Sequence, residues 1–223
     1  MQRIPEPELM TAHEQVDAYA DADFSSGDSR TVALVEQLLD ETGPLPKDPL
    51  IVDLGCGPGN ITIRLAELLP NAQVIGIDGS EPMLAVAKQR SIRTSNNLKF
   101  IRLQLHDIEV ELKDLADLVV SNSLLHHLKK PDLLWSVTQS IAKPGCRVLH
   151  RDLRRPTSLA EVHRLQQQHL PKAPSVLIQD FTASLVAAYT TDEVNQQLRR
   201  AEMNRAKARS EDDRYLVVSG LVG

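Results

Sequence analysis

The sequence predicts an α/β fold in which helices cover both faces of a mostly parallel sheet. Two observations predict it. Apolar runs recur at 50–55 (LIVDLG), 72–78 (AQVIGID), 98–105 (LKFIRLQL), 116–122 (ADLVVSN) and 146–152 (CRVLHRD), with helical patterning between them. Directly after the first run, Gly55, Gly57 and Gly59 fall at alternate positions, where a strand hands over to a helix through a turn that must bend sharply or approach a ligand closely.

The elements follow in order. ITIRLAELL (61–69), EPMLAVAKQR (81–90) and PDLLWSVTQSIA (131–142) carry apolar residues at helical spacing, and Pro82 sits near a helix start, where its missing amide costs little. Lys143-Pro144-Gly145 reads as a helix stop and a turn that places the fifth strand immediately afterwards. The alternation then stops. TSLAEVHRLQQQH (157–169) and VLIQDFTASLVAAY (176–189) read as two helices separated by Pro171 and Pro174. Another helix starts at 191–193 with Thr190 or Thr191 as its cap. RYLVVSGL (214–221) is the last strand-like run and the polar stretch 204–213 its weak hairpin partner, which brings the sheet to seven strands. There is no internal repeat.

Composition bounds the function. A hydrophobic content of 42% and a charged content of 25% belong to an ordinary soluble globular protein, with no run of about 18 apolar residues to span a bilayer. The N-terminus lacks the basic-then-apolar pattern of a secretory signal. Cys56 and Cys146 have no spacing that suggests a disulfide framework or a zinc site, so a cytoplasmic location and no bound metal are expected. A net charge of -5 and only one Trp, three Tyr and three Phe argue against nucleic acid as a partner. The acidic N-terminal thirty residues and the basic stretch 199–209 read as solvated helix faces.

The glycine spacing is G-x-G-x-G rather than the dinucleotide G-x-G-x-x-G, since position 60 is Asn. The second strand ends in Asp78, 25 residues after Asp53 (78 minus 53), near the separation at which an acid reaches ribose hydroxyls. The third run leads into His106-Asp107-Ile108 and the fourth ends in Asn122. A nucleoside with a hydroxylated sugar, an amino-bearing base and no diphosphate suits such a set of strand ends. Each Asp at a strand end is also read as a cap for the following helix, a reading that stays open for Asp107.

The pieces VDLGCGPGNIT, IGIDGSEPMLAVAK, LHDIEVEL, DLVVSNSLLHHL and KPGCRVL, in this order over residues 51–149, resemble the class I S-adenosylmethionine-dependent methyltransferases. The resemblance is to the small-molecule type related to ubiquinone and menaquinone biosynthesis. It implies a doubly wound, Rossmann-like fold with a helical lid inserted after the fifth strand. Four parts of one domain are implied: an N-terminal helical cap (1–45), a cofactor-binding core (46–152), the lid (153–190) and a C-terminal helix and hairpin (191–223). By resemblance Gly55, Gly57 and Gly59 pass under the methionine part of the cofactor, S-adenosylmethionine, and Asp78 with Gly79 holds the ribose. Met83 packs on the adenine, Asp107 and Ile108 bind its edge, Asn122 lines the methyl-donor side, and Asp53 sits beneath the loop. Tyr19 belongs to an N-terminal helix that folds over the cofactor.

Methyl transfer needs no covalent partner from the protein; it needs alignment, and a general base only when the acceptor must shed a proton. His126 and His127, at the expected start of a helix after Asn122, are the candidate bases, and His127 is the expected catalytic residue. Arg154 and Arg155, after the fifth strand, are candidates for a carboxylate or phosphate on the acceptor. Tyr189 is expected to point inward, and His150 and Arg151 to snorkel toward the rim. The expected partner is a small-molecule methyl acceptor, with the methylated atom and the oligomeric state left open. The competing readings are a non-catalytic protein that binds the same cofactor, a nicotinamide-dependent oxidoreductase, and a nucleic-acid methyltransferase; Asn122-Ser123-Leu124-Leu125 lacks the Pro-Pro-aromatic pattern of the last.

Overall fold

The computed structural model describes residues 1–6, 13–94 and 97–223. Residues 7–12, within the expected N-terminal cap, lie outside the described residues. β1 (Leu50–Leu54), β2 (Gln73–Asp78), β3 (Leu98–Arg102), β4 (Ala116–Asn122) and β5 (Ala142–Leu153) run parallel. β6 (Ala206–Ser210) and β7 (Tyr215–Leu221) complete a seven-stranded sheet in the order β3-β2-β1-β4-β5-β7-β6, with β7 antiparallel to both its neighbours. The expected sheet is therefore present. Its strand order reverses between β1 and β4, and the crevice that opens beyond their carboxyl ends is where such sheets receive ligands.

β1 and β4 read as near-continuous apolar runs because both their faces are covered. On one face α2 (Ser25–Thr42) and α3 (Asn60–Leu68) bury Leu34, Val35, Ile61 and Leu65 against Ile51, Leu118 and Val120. On the other, α5 (Ile108–Leu112), α6 (Asp132–Ile141) and α9 (Thr191–Arg200) bury Ile108, Trp135 and Leu198 with Val52, Val119 and Val148. α4 (Glu81–Arg90) starts as expected, with Ser80 as its cap and Pro82 in its first turn. α1 (His13–Asp21) contributes Tyr19 to the cavity described below. After β5, α7 (Leu159–His169) and α8 (Ser175–Ala187) pack their own small core, Val162, Leu165 and Leu185 against Leu153.

Several expectations are corrected. Lys143-Pro144-Gly145 is not a turn ahead of β5 but lies inside it: pairing jumps from Ala142 to Arg147 while β4 advances only from Ala116 to Leu118, and Gly145 (φ 77°) takes up the excess chain. His126 and His127 lie in a single 3-10 turn, Leu125–His127, rather than at the start of a helix. Of the two cap candidates Thr190 is the cap, with Glu193 closing a capping box. β6 is regular despite its polarity, because Ala206 and Ala208 face inward while Lys207 and Arg209 sit on the solvent side of an edge strand. His150 does not snorkel: it is 1% exposed, its Nδ1 is 2.8 Å from Ser121 Oγ and its Nε2 3.3 Å from Thr138 Oγ1. Burial lowers its pKa to about 4, so the ring is neutral.

Candidate active site

A cavity of about 810 Å³ opens at the carboxyl ends of β1, β2, β4 and β5, roofed by residues of α7 and α8 and closed at one side by the start of α2. Its floor is the glycine turn. Gly55, Gly57 and Gly59 all have positive φ (67°, 52° and 81°), which side chains rarely adopt. A Cβ on Gly55 would come within 2.7 Å of Leu124, and one on Gly59 within 2.8 Å of Phe100, so packing excludes side chains there. Gly57 is different: a Cβ would meet nothing within 4 Å, and the bare backbone faces the cavity.

Two carboxylates, Asp53 buried and Asp78 partly so, fix this turn. Asp78 accepts from the Gly57 and Ser80 amides at 2.8 and 2.7 Å. Asp53, 1% exposed, accepts from Thr62 Oγ1 at 2.6 Å, and burial pushes its pKa up to about 7. Burial also raises the pKa of Asp78, opposed by its amide bonds.

The cavity gathers most of the residues read from the sequence. Tyr19, Asp53, Gly55 and Gly57 line it, as do Asp78, Gly79 and Met83. Asn122 and His127 line the other end. Gly59, Asp107 and Ile108 do not reach the wall. Gly59 lies under Phe100 and Ala87; the Asp107 side chain is 55% exposed, 3.5 Å from His106; Ile108 is packed in the core. The wall at that point is Leu103 to His106 instead.

The β4–β5 end carries the titratable groups. Ser123 takes a left-handed conformation (φ 58°), strained for a residue with a side chain, and turns the chain out of β4. Asp152, at the end of β5, accepts from the Leu125 amide and stands 2.6 Å from His126 Nδ1. Glu6, delivered by the N-terminal segment, lies 3.4 Å from His126 Nε2 and 3.1 Å from His127 Nδ1, and accepts from Ser184 Oγ. Burial opposes charging of His126, but Asp152 and then Glu6 outweigh it and raise the pKa. For Glu6, burial raises the pKa against the pull of His126. Glu6, His126 and His127 bring ligand atoms within 4.8 Å of one another, a donor set able to hold a metal ion. Arg3 stands beside it, donating to the carbonyls of His126 and Leu128.

Neither Arg154 nor Arg155 lines the cavity. Arg154 donates to the carbonyls of Asp212 and Asp213, and Arg155 to Glu193 and the carbonyl of Ala188. Tyr189 does not point into the cavity; its hydroxyl donates to Leu128 O at 2.9 Å, with Arg3 over its ring. The arginines that do line the cavity are Arg151 and Arg214. Glu6, Asp180 and Arg214 carry no motif. Glu6 sits in an acidic run that reads as solvated, and only tertiary structure brings it 120 residues along the chain (126 minus 6) to His126.

A family model for a methyltransferase domain matches residues 47–207. The chain is 31% identical over 180 residues, 79% of its length, to a trans-aconitate 2-methyltransferase of Methylobacterium nodulans, of which it covers 59%. It is 39% identical over 104 residues, 46% of its length, to the corresponding enzyme of Variovorax paradoxus, covering 38% of that protein. To a malonyl-[acyl-carrier protein] O-methyltransferase of Bacillus cytotoxicus it is 42% identical over 79 residues, 35% of this chain and 26% of that one. The chain thus spans less than two thirds of the length of each of these relatives. In fold it resembles the plantazolicin methyltransferase BamL, solved with a desmethylPZN analogue and SAH (TM-score 0.72, 15% identity, 94% of this chain and 90% of that one). With a match over 161 of its 223 residues (207 minus 47, plus one), and with the glycine turn and Asp78 at the switch point of its sheet, the chain belongs to the methyltransferase-domain family.

Proposed function

We propose that this chain transfers a methyl group from S-adenosylmethionine to a small-molecule acceptor held under α7 and α8. The observation that carries this reading is Gly57, whose backbone lies open to the cavity while its amide is fixed by Asp78. That cradle fits the methionine portion of the cofactor. An ionised carboxylate has about four acceptor positions. Asp78 spends positions on the amides of Gly57, Ser80 and Gly79, and what remains suits a ribose hydroxyl. Met83 and Leu105 offer apolar contact to the base, and Tyr19 with Phe24, ring centroids 4.7 Å apart, closes the side toward α1 and α2.

When bound, S-adenosylmethionine supplies an electrophilic methyl group that leaves its sulfur by in-line displacement. The protein aligns the acceptor beneath α8 and keeps water out, and alignment in favourable cases accounts for about 7 to 11 kcal/mol of a barrier. Where the acceptor carries a proton, His127, on the cavity wall beside Glu6, takes it. Asp152 and Glu6 hold His126 behind it. The acceptors named for the relatives, trans-aconitate and a malonyl group, support a small carboxylate-bearing or similarly polar acceptor. We place the protein in the cytoplasm, in keeping with two free, buried thiols; among the described residues no helix is long and apolar enough to cross a membrane.

Calorimetry with S-adenosylmethionine, S-adenosylhomocysteine and NAD tests the reading. The first two are expected to bind and the third not; binding of NAD alone would overturn it.

A further inference from the structure

The cavity contains two guanidinium groups for which the protein supplies too few partners. Arg151 is 2% exposed, and its Nε is buried without a hydrogen-bond partner. Its Nη1 reaches Gly27 O and Asn122 Oδ1 only at 3.5 Å, and its Nη2 lies 3.6 Å from Asp212. In Arg214 both Nε and Nη1 are buried and unpartnered. Both groups lie against the Tyr215 ring, with Cζ 3.6 Å (Arg151) and 5.3 Å (Arg214) from its centroid. Burial lowers the pKa of Arg214, Tyr215 opposes the shift and Arg151 adds to it.

Buried donors are ordinarily satisfied, and a buried cation more so, because an unmatched charge out of water is costly. Asp212 offsets part of the charge on Arg151; among the described residues Arg214 has no ion pair, and its side chain is bonded to Tyr215. The free edges of a planar guanidinium match the paired oxygens of a carboxylate or phosphate. Asp180, on α8, lines the same cavity with a buried Oδ2 that also lacks a partner, which calls for an O–H or N–H on the same ligand.

We propose that Arg214 and Arg151, at the ends of β7 and β5 along the Tyr215 ring, form an anion-binding subsite that holds a carboxylate or phosphate group of the methyl acceptor. The subsite selects anionic acceptors and rests on the methyl-transfer reading above. Its ligand chemistry has a second source, the carboxylate of the methyl donor itself, and the experiment separates the two.

Protein saturated with S-adenosylhomocysteine is titrated with malonate, citrate, benzoate and inorganic phosphate, with thermal unfolding as the readout, for the native chain, Arg214→Gln and Arg214→Lys. At least one anion is expected to raise Tm. Arg214→Gln is expected to weaken that anion about tenfold or more, Arg214→Lys to recover part of the loss, and affinity for S-adenosylhomocysteine to stay within about twofold. The subsite is overturned if none of these anions stabilises the native chain, or if the effect survives Arg214→Gln. A tenfold loss of S-adenosylhomocysteine affinity in a folded Arg214→Gln would also overturn it, by assigning the guanidinium to the donor. Failure of the native chain to bind S-adenosylhomocysteine would instead remove the methyl-transfer reading, and titration of the unliganded protein would then still decide whether the anion site exists.

Discussion

The two ends of the cavity are held together by different kinds of contact. Around β1 and β2 carboxylates are bonded to backbone amides and a hydroxyl: Gly57 and Ser80 to Asp78, Thr62 to Asp53. Around β4 and β5 side chains face side chains, as Asp152, His126, Glu6 and His127 follow one another within 3.4 Å, and Arg151 and Arg214 retain donors with no partner. Amides neither titrate nor rotate away, so the first end is preorganised for one ligand. The second leaves polar groups unmet until something else arrives. A fixed donor site beside a demanding acceptor site is what a transferase with one common substrate and one particular substrate requires.

The sharpest way to break this division is His127→Ala. We expect turnover to fall about 10² to 10⁴-fold with an acceptor that must lose a proton, while affinity for S-adenosylhomocysteine is unchanged. Methyl transfer to an acceptor found by metabolite screening, set beside calorimetry on the same variant, measures both; a parallel loss of binding would erase the distinction. Asp78→Ala probes the other end. It should weaken S-adenosylhomocysteine about tenfold, ~1.4 kcal/mol, and leave turnover at saturating donor largely intact. Full affinity in this variant would remove the ribose role.

A third test separates both ends from the core behind them. His150 has a folded pKa of about 4 against 6.5 for the free side chain, so the unfolded chain takes up its proton first as pH falls. Its contribution to stability is complete above about 6.5 and drains away toward pH 4, at no more than about 1.4 kcal/mol per pH unit. Asp53, its pKa raised to about 7, contributes the opposite slope across the same window, so the native chain and His150→Gln are compared by urea unfolding: stability should fall less steeply toward acid in the variant, and equal slopes would mean that His150 does not titrate there. The smallest effect is expected from EDTA. Arg3 next to His126 disfavours a cation among Glu6, His126 and His127, so activity should change by less than about twofold, and metal analysis of the purified protein checks the same point.

The same division explains how much could be read in advance. The fixed end is local: Gly55 to Gly59 lie within five consecutive positions, Asp78 ends the next strand, and the positive φ values permit few residues but glycine. β1 and β4 were legible because burial makes them apolar on both faces, and β6 was weak because its inward residues are alanines. The acceptor end escaped because its contacts join remote segments. Glu6 meets His127 through the fold alone, and Arg214 reaches the cavity by the pairing of β7 with β5. Arg154 and Arg155 occupy the expected sheet edge, yet backbone carbonyls and Glu193 claim them; a sequence shows an arginine but not which oxygens lie nearest.

Trp135 is the chain's sole tryptophan, fully buried, with its indole N–H donated to Gln197 at 3.1 Å and its ring set edge-on to His150 at 5.6 Å. It takes no part in the cavity wall. Under excitation that only tryptophan absorbs, emission therefore comes from a single fluorophore at the junction of α6, α9 and β5, blind to ligand occupancy at first hand. Protonation of its imidazole neighbour should quench it, giving an optical record of acid-induced loosening without any added dye.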